Sequence, residues 1–149
     1  MIEIAYDPSL HLLCGIVAGV RTNAENEKLV AAITDLDRHG VAHKHVVAFA
    51  LELTPGSQPP DAHWRRRLAL QRQGMKAPRV FTSIITTSTV LRGVLTAMNW
   101  VSPPPPHVKA VHHAARDEAA AWIEIVHGVP IHKTRNLFAQ ISGPTAVAR

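Results

Sequence analysis

The chain is poor in cysteine and aromatics and has no long apolar run. Of its 149 residues only one is cysteine, Cys14. That excludes a disulfide framework and leaves a thiolate metal site without ligands. Cys14 lies in an apolar stretch, where a free thiol serves as a small buried hydrophobe. Aromatics make up 5% of the chain, few for a surface that stacks nucleobases. No apolar run approaches the roughly 18 residues of a membrane span. The longest, around Leu12–Val20 and Val46–Leu51, have the length of strands. The opening MIEIAYD carries Glu3 and lacks the basic start and apolar core of a secretory signal, so a cytoplasmic location is expected. Neither a G-x-S-x-G elbow nor a Walker loop with its lysine occurs. A non-enzymatic chain is therefore expected, with no cofactor and no metal.

What is present in excess is positive charge. Lys and Arg number 16 against 11 Asp and Glu, a net charge of +5, and the isoelectric point is about 10.0. This balance suits an acidic protein partner. Nucleic acid is disfavoured, because the basic residues are scattered and form one block, Arg65-Arg66-Arg67. Three consecutive helix positions fan over about 200°, so this basic patch reads as a solvated face of which only part can meet one partner.

Ile2, Ile4 and Tyr6 alternate with polar or small residues, the period of a half-buried strand. Asp7-Pro8-Ser9 is a turn signal, and His11–Val20 is a second strand, so the chain should open with a hairpin. Thr22-x-x-Glu25 is a capping box, followed by Leu29, Ala32, Ile33 and Leu36 on one helical face. Gly40 suits the left-handed residue that ends such a helix. His45–Leu53 is apolar on both faces and reads as a covered strand.

After the loop Thr54–Pro60, Asp61 can cap a second helix with Trp64 and Leu68 inward and the arginines outward. Val80–Thr86 is a fourth strand. Ser88–Val101 is a third helix with Leu91, Val94, Leu95, Met98 and Val101 as its apolar stripe, and Pro103–Pro106 stops it. His107–His113 reads as an edge strand and Asp117–His127 as a fourth helix closed by Gly128. The last segment, 129–149, contains Leu137, Phe138 and Ile141 with weak periodicity, and reads as a docking or frayed arm able to self-associate. The pattern implies one α/β domain over residues 1–128. It has a five-stranded, mostly parallel sheet opened by a hairpin, with four main helices.

The most suggestive stretch runs from Arg79 to Trp100. A β-branched strand leads into Thr86, Thr87, Ser88 and Thr89, which open a helix carrying Arg92. Hydroxyls, helix N–H groups and a guanidinium then share one strand's C-terminal end, a place that suits an anion or a partner. Thr87 or Ser88 is the expected N-cap. Ten histidines include His39, His43 and His45 close together, with a spacing that matches no familiar zinc pattern. Trp100, beside the proline run, is the tryptophan best placed to anchor an interface.

The order of elements, the opening DPSLHLLCGIVAGV with TNAENEKLVAAITDL, the helix TTSTVLRGVLTAMNW and the ending DEAAAWI resemble STAS domains, in particular their SpoIIAA-like branch, over roughly residues 1–126. The resemblance implies a non-enzymatic bacterial regulatory or scaffolding module that works by protein–protein contact. It also implies a phosphorylation switch at the start of the second helix, where Thr54 and Ser57 are the hydroxyls. PGSQPPD stands there in place of the family's Asp-Ser pair. The competing expectation is a domain that holds a small anion or nucleotide at the Thr86–Arg92 helix start.

Overall fold

Turn chemistry and caps set the element boundaries. The computed structural model describes the backbone of residues 1–148 and the side chains of residues 1–141. Strand β1 (Ile2–Asp7) turns through a single 3-10 turn at Pro8–Leu10, where Asp7 accepts from the Ser9 N–H. His11 takes the left-handed conformation, with φ at 49°. Strand β2 (Leu12–Val17) returns antiparallel, with Ala5 opposite Cys14. Strands β3 (Val47–Leu53), β4 (Val80–Ile85) and β5 (Val108–His113) follow in parallel. The order is β1-β2-β3-β4-β5, which leaves β5 at an edge.

The helices are α1 (Asn23–His43), α2 (Ala62–Gln73), α3 (Thr89–Val101), α4 (Arg116–His127) and α5 (Ile131–Ala148). The capping box forms, with the Glu25 N–H donating to Thr22 Oγ1 at 3.1 Å and the Thr22 N–H to Glu25 Oε1 at 3.1 Å. Asp61 caps α2 and Ser88 caps α3. Among the described residues no helix is long and apolar enough to cross a membrane.

Three expectations change. Gly40 does not end α1: the helix runs on to His43, and Lys44 takes the left-handed position, with φ at 52°. Gly40 is instead a point of close approach. A Cβ there would meet Val47 Cγ1 at 2.6 Å and Ala77 Cβ at 2.8 Å. The second strand is shorter than His11–Val20, and Val20 is exposed. The segment after Gly128 is a fifth helix, not a frayed arm. Leu137, Phe138 and Ile141 join Ala119 and Ile123 of α4 in one core. The apolar residues offered for self-association are therefore covered by their own chain. Arg149 lies outside the described residues.

Alternation along the strands divides the sheet into two unlike faces. One presents Cys14, Ala48, Ala50, Phe81 and Ile85 to α4 and α5. Its small residues oppose Ala119 and Ala120, which lets α4 lie close. The other presents Leu13, Val47, Phe49, Leu51 and Val80, which α1 covers with Leu29, Ile33 and Leu36. Over the β3–β5 end of that face, α2 and α3 stand off on larger side chains and enclose a space.

Candidate functional site

Helix α3 has the strongest apolar stripe in the chain, yet it is only partly docked. Leu91 alone is fully buried, while Val94, Leu95 and Met98 are half-buried. Val101, expected in the stripe, is 87% exposed. It sits about 80° around the helix from Leu91, in the last turn before the prolines, and nothing covers it. Trp100 is 80% exposed and Val90 71%. The helix thus carries apolar groups both toward the sheet and toward solvent.

Between α3 and the sheet lies a cavity of about 170 Å³. Phe49, Leu51 and Ile84 contribute from the strands, and Leu91, Leu95 and Met98 from α3. Met75 and Leu29 add further apolar wall. Such a lining, broken by a few polar groups, is the usual make-up of a small-molecule site. The charged or titratable residues that line it are Arg21, Arg72 and His112, with no Asp or Glu.

Arg72 comes from the last turn of α2 and reaches across to α3. Its Nη1 donates to Asn99 Oδ1 at 2.5 Å and its Nη2 to the Ser102 carbonyl. Nε is buried and has no acceptor among the described residues. Among the described residues no carboxylate lies within ion-pair distance of it. Burial pulls its pKa below the ordinary arginine value. Arg21 differs. It donates from Nε to Asn26 Oδ1 at 3.2 Å, and burial lowers its pKa while the Glu25 charge works in the opposite sense. Burial, with the nearby Arg92 and His113, holds His112 below the ordinary histidine value.

The stretch Thr86–Arg92 is ordered by its own members. Thr86 is buried, with its N–H donating to the His113 carbonyl at 3.0 Å. Thr86 Oγ1 accepts from the Ser88 N–H at 3.1 Å, and Ser88 Oγ from the Leu91 N–H at 3.2 Å. Arg92 folds back, its Nη2 donating to the Thr86 carbonyl at 3.1 Å. Thr87 and Thr89 are exposed. The helix start is thus partly self-satisfied, and Arg92 is not among the residues lining the cavity.

Thr54 and Ser57 tie the β3–α2 loop to the end of β2. Both hydroxyls donate to the Val17 carbonyl, at 3.3 and 3.0 Å, and Ser57 is buried beside the cavity. The basic block also divides. Arg67 turns to α1 and grips Glu27 at 2.5 and 3.0 Å, with its guanidinium over Trp64. Arg65 and Arg66 stay exposed.

Five of the ten histidines gather at the opposite end of the sheet. His11 stacks on His45 at 4.1 Å, and His39, His43 and His127 complete the group. Several are pinned to carbonyls, as His127 Nε2 is to Leu10 O at 2.8 Å. Among the described residues no group of three or more His, Cys, Asp or Glu has a metal-holding arrangement. Cys14 is fully buried, and burial drives its thiol pKa far up.

Arg21, Arg72 and Asn99 did not stand out in the sequence. One signal was there: residues 62–116, which supply α2, β4, α3 and β5, hold nine Arg and Lys and not one Asp or Glu. No family model matches the chain, and neither a curated protein nor a solved structure matches it.

Proposed function

We propose that this chain is a non-enzymatic binding module of STAS-like, SpoIIAA-like fold. It holds a small, mainly apolar molecule beneath α3 and signals occupancy to a protein partner. The observation that carries this reading is the cavity itself. A helix with a strong apolar stripe is left half-docked over about 170 Å³ of space, where a filled core would bury it. A cavity of that size lined by aliphatic and aromatic side chains accepts a ligand of roughly six to ten non-hydrogen atoms.

The regulatory half of the reading draws on the outer side of α3. A ligand that seats Val94, Leu95 and Met98 more firmly would also steady Val90, Trp100 and Val101, which face solvent on the same helix. Trp is a common interface anchor. The basic segment 62–116 that carries α3 has no Asp or Glu of its own and suits a partner with an acidic rim.

The test is thermal unfolding with 1-octanol as an uncharged probe, in the wild type and in Val94→Phe, which fills the cavity from the helix side. At about 100 times its Kd the alcohol should raise the wild-type Tm by about 5–10 °C. The variant should lose that rise while keeping its own cooperative transition. A wild-type Tm indifferent to the alcohol refutes the reading.

A further inference from the structure

The cavity's polar groups are unequal, and the inequality names a ligand class. Its walls are mainly apolar, its charged groups are cationic, and among the described residues no acid lines it. Buried charges are normally paired, because an isolated one loses its solvation without return. Arg21 has Glu25 nearby. Arg116, on the other side of the sheet, grips Glu52 at 2.7 and 3.0 Å. Arg67 has Glu27. Arg72 is held by the neutral acceptors Asn99 and Ser102, and its buried Nε–H points to no acceptor. The side chain is positioned from two sides yet keeps an unmatched positive charge at the cavity wall.

Resting on the cavity reading above, we infer that the ligand is a monocarboxylic acid with an apolar body, its carboxylate paired with Arg72 and its body lying over Phe49, Leu51 and Ile84. A guanidinium is planar and presents N–H groups in a fork that fits a carboxylate. Each Nη carries a second N–H beyond the one given to Asn99 or Ser102, and the two carboxylate oxygens can take these as a pair. The size of the space admits an acid of roughly six to ten non-hydrogen atoms, such as a medium-chain alkanoate or a small aryl acid. Among the described residues no carboxylate of the chain itself lines the cavity or pairs with Arg72.

The experiment is titration calorimetry at neutral pH with octanoate and 1-octanol, on the wild type, Arg72→Gln and Arg21→Gln. Octanoate should bind the wild type at least tenfold more tightly than the alcohol. Arg72→Gln should weaken octanoate by about 10- to 100-fold, the usual loss when a charge-assisted hydrogen bond is removed. It should leave 1-octanol within about threefold, which also reports that the variant is folded. Arg21→Gln should change octanoate little. Equal binding of acid and alcohol by the wild type overturns the carboxylate assignment and leaves the apolar cavity standing. Loss of octanoate in Arg21→Gln with none in Arg72→Gln overturns the choice of arginine. Failure of both probes to bind the wild type overturns this inference and the cavity reading together. Should Arg72→Gln not fold, the wild-type comparison of acid with alcohol still decides the ligand class.

Discussion

The two faces of the sheet are built from the same strands and end in opposite states. Toward α4 and α5 the strands offer Cys14, Ala48, Ala50 and Ser83, and the helices answer with Ala119, Ala120, Ile123 and Phe138, all nearly inaccessible. Small against small brings α4 close at Ala119 and Ala120, Phe81 meets Trp122 edge-on at 5.8 Å, and large side chains from α5 fill what remains. Toward α2 and α3 the strands offer Phe49, Leu51 and Ile84, and α3 answers with Leu91, Leu95 and Met98. Large against large props the helix away and leaves room. Total apolar content does not distinguish the faces. The pairing of sizes across each contact does, and it makes one face structural and the other receptive.

The widest contrast should come from truncating one large side chain on each face. Phe138→Ala on the filled face should cost about 3–5 kcal/mol in denaturant unfolding. Met98→Ala, which enlarges a space already present, should cost about 1 kcal/mol, in keeping with a half-exposed side chain. Equal losses would break the comparison.

Gly40→Ala probes the part of the receptive face that is tightly closed. The new methyl would press on Val47 and Ala77 at distances below 3 Å, so a loss of about 1–3 kcal/mol is expected. An unchanged midpoint would mean that α1 is as loosely seated as α3.

A smaller effect should follow pH. His112 lines the cavity and His113 faces α4, and burial lowers the pKa of both. At the far end of the sheet, His11 is lowered by burial and then by neighbouring histidines, and His127 by burial, against which its bond to the Leu10 carbonyl works. A histidine with a depressed folded pKa takes its proton more readily when unfolded. Stability is therefore complete above the ordinary value of 6.5, and falls as pH drops below it. Thermal unfolding between pH 8 and 5 should show Tm declining on the acid side, with a shallower decline in His11→Gln. A flat or rising Tm would contradict the assigned burial.

The smallest change belongs to the outer side of α3. Trp100→Ser should alter stability by no more than about 0.5 kcal/mol, because the ring is exposed. A larger loss would show that Trp100 packs against something, and the half-docked view of α3 would then need revision.

Local signals made much of the fold legible. Alternation at Ile2–Tyr6, the Thr22–Glu25 box, Asp61, the Thr86–Thr89 cluster and Gly128 each act within a few residues, and each predicted element formed close to where they place it. Gly40 misled for a related reason: a glycine near a helix end reads as a terminator, but whether Val47 and Ala77 crowd it depends on residues distant along the chain. The weak periodicity of residues 131–141 concealed a helix because its burial is supplied by β1, β2 and α4.

The candidate site followed the same rule. Thr86–Arg92 carried the visible hydroxyls and charge; Thr86, Ser88 and Arg92 turned to one another, while Thr87 and Thr89 stayed exposed. Arg72 looked like one more arginine on a polar helix until α3 was laid beside it. Sequence alone determined the element types up to Gly128, the N-caps of the first three helices and the charge asymmetry, since these depend on short-range periodicity and composition. Tertiary structure alone decided which helix stands off the sheet and that Arg72 meets neutral acceptors in place of a counter-charge. Packing distance and ion pairing are relations between residues far apart in the chain, and no local pattern encodes them.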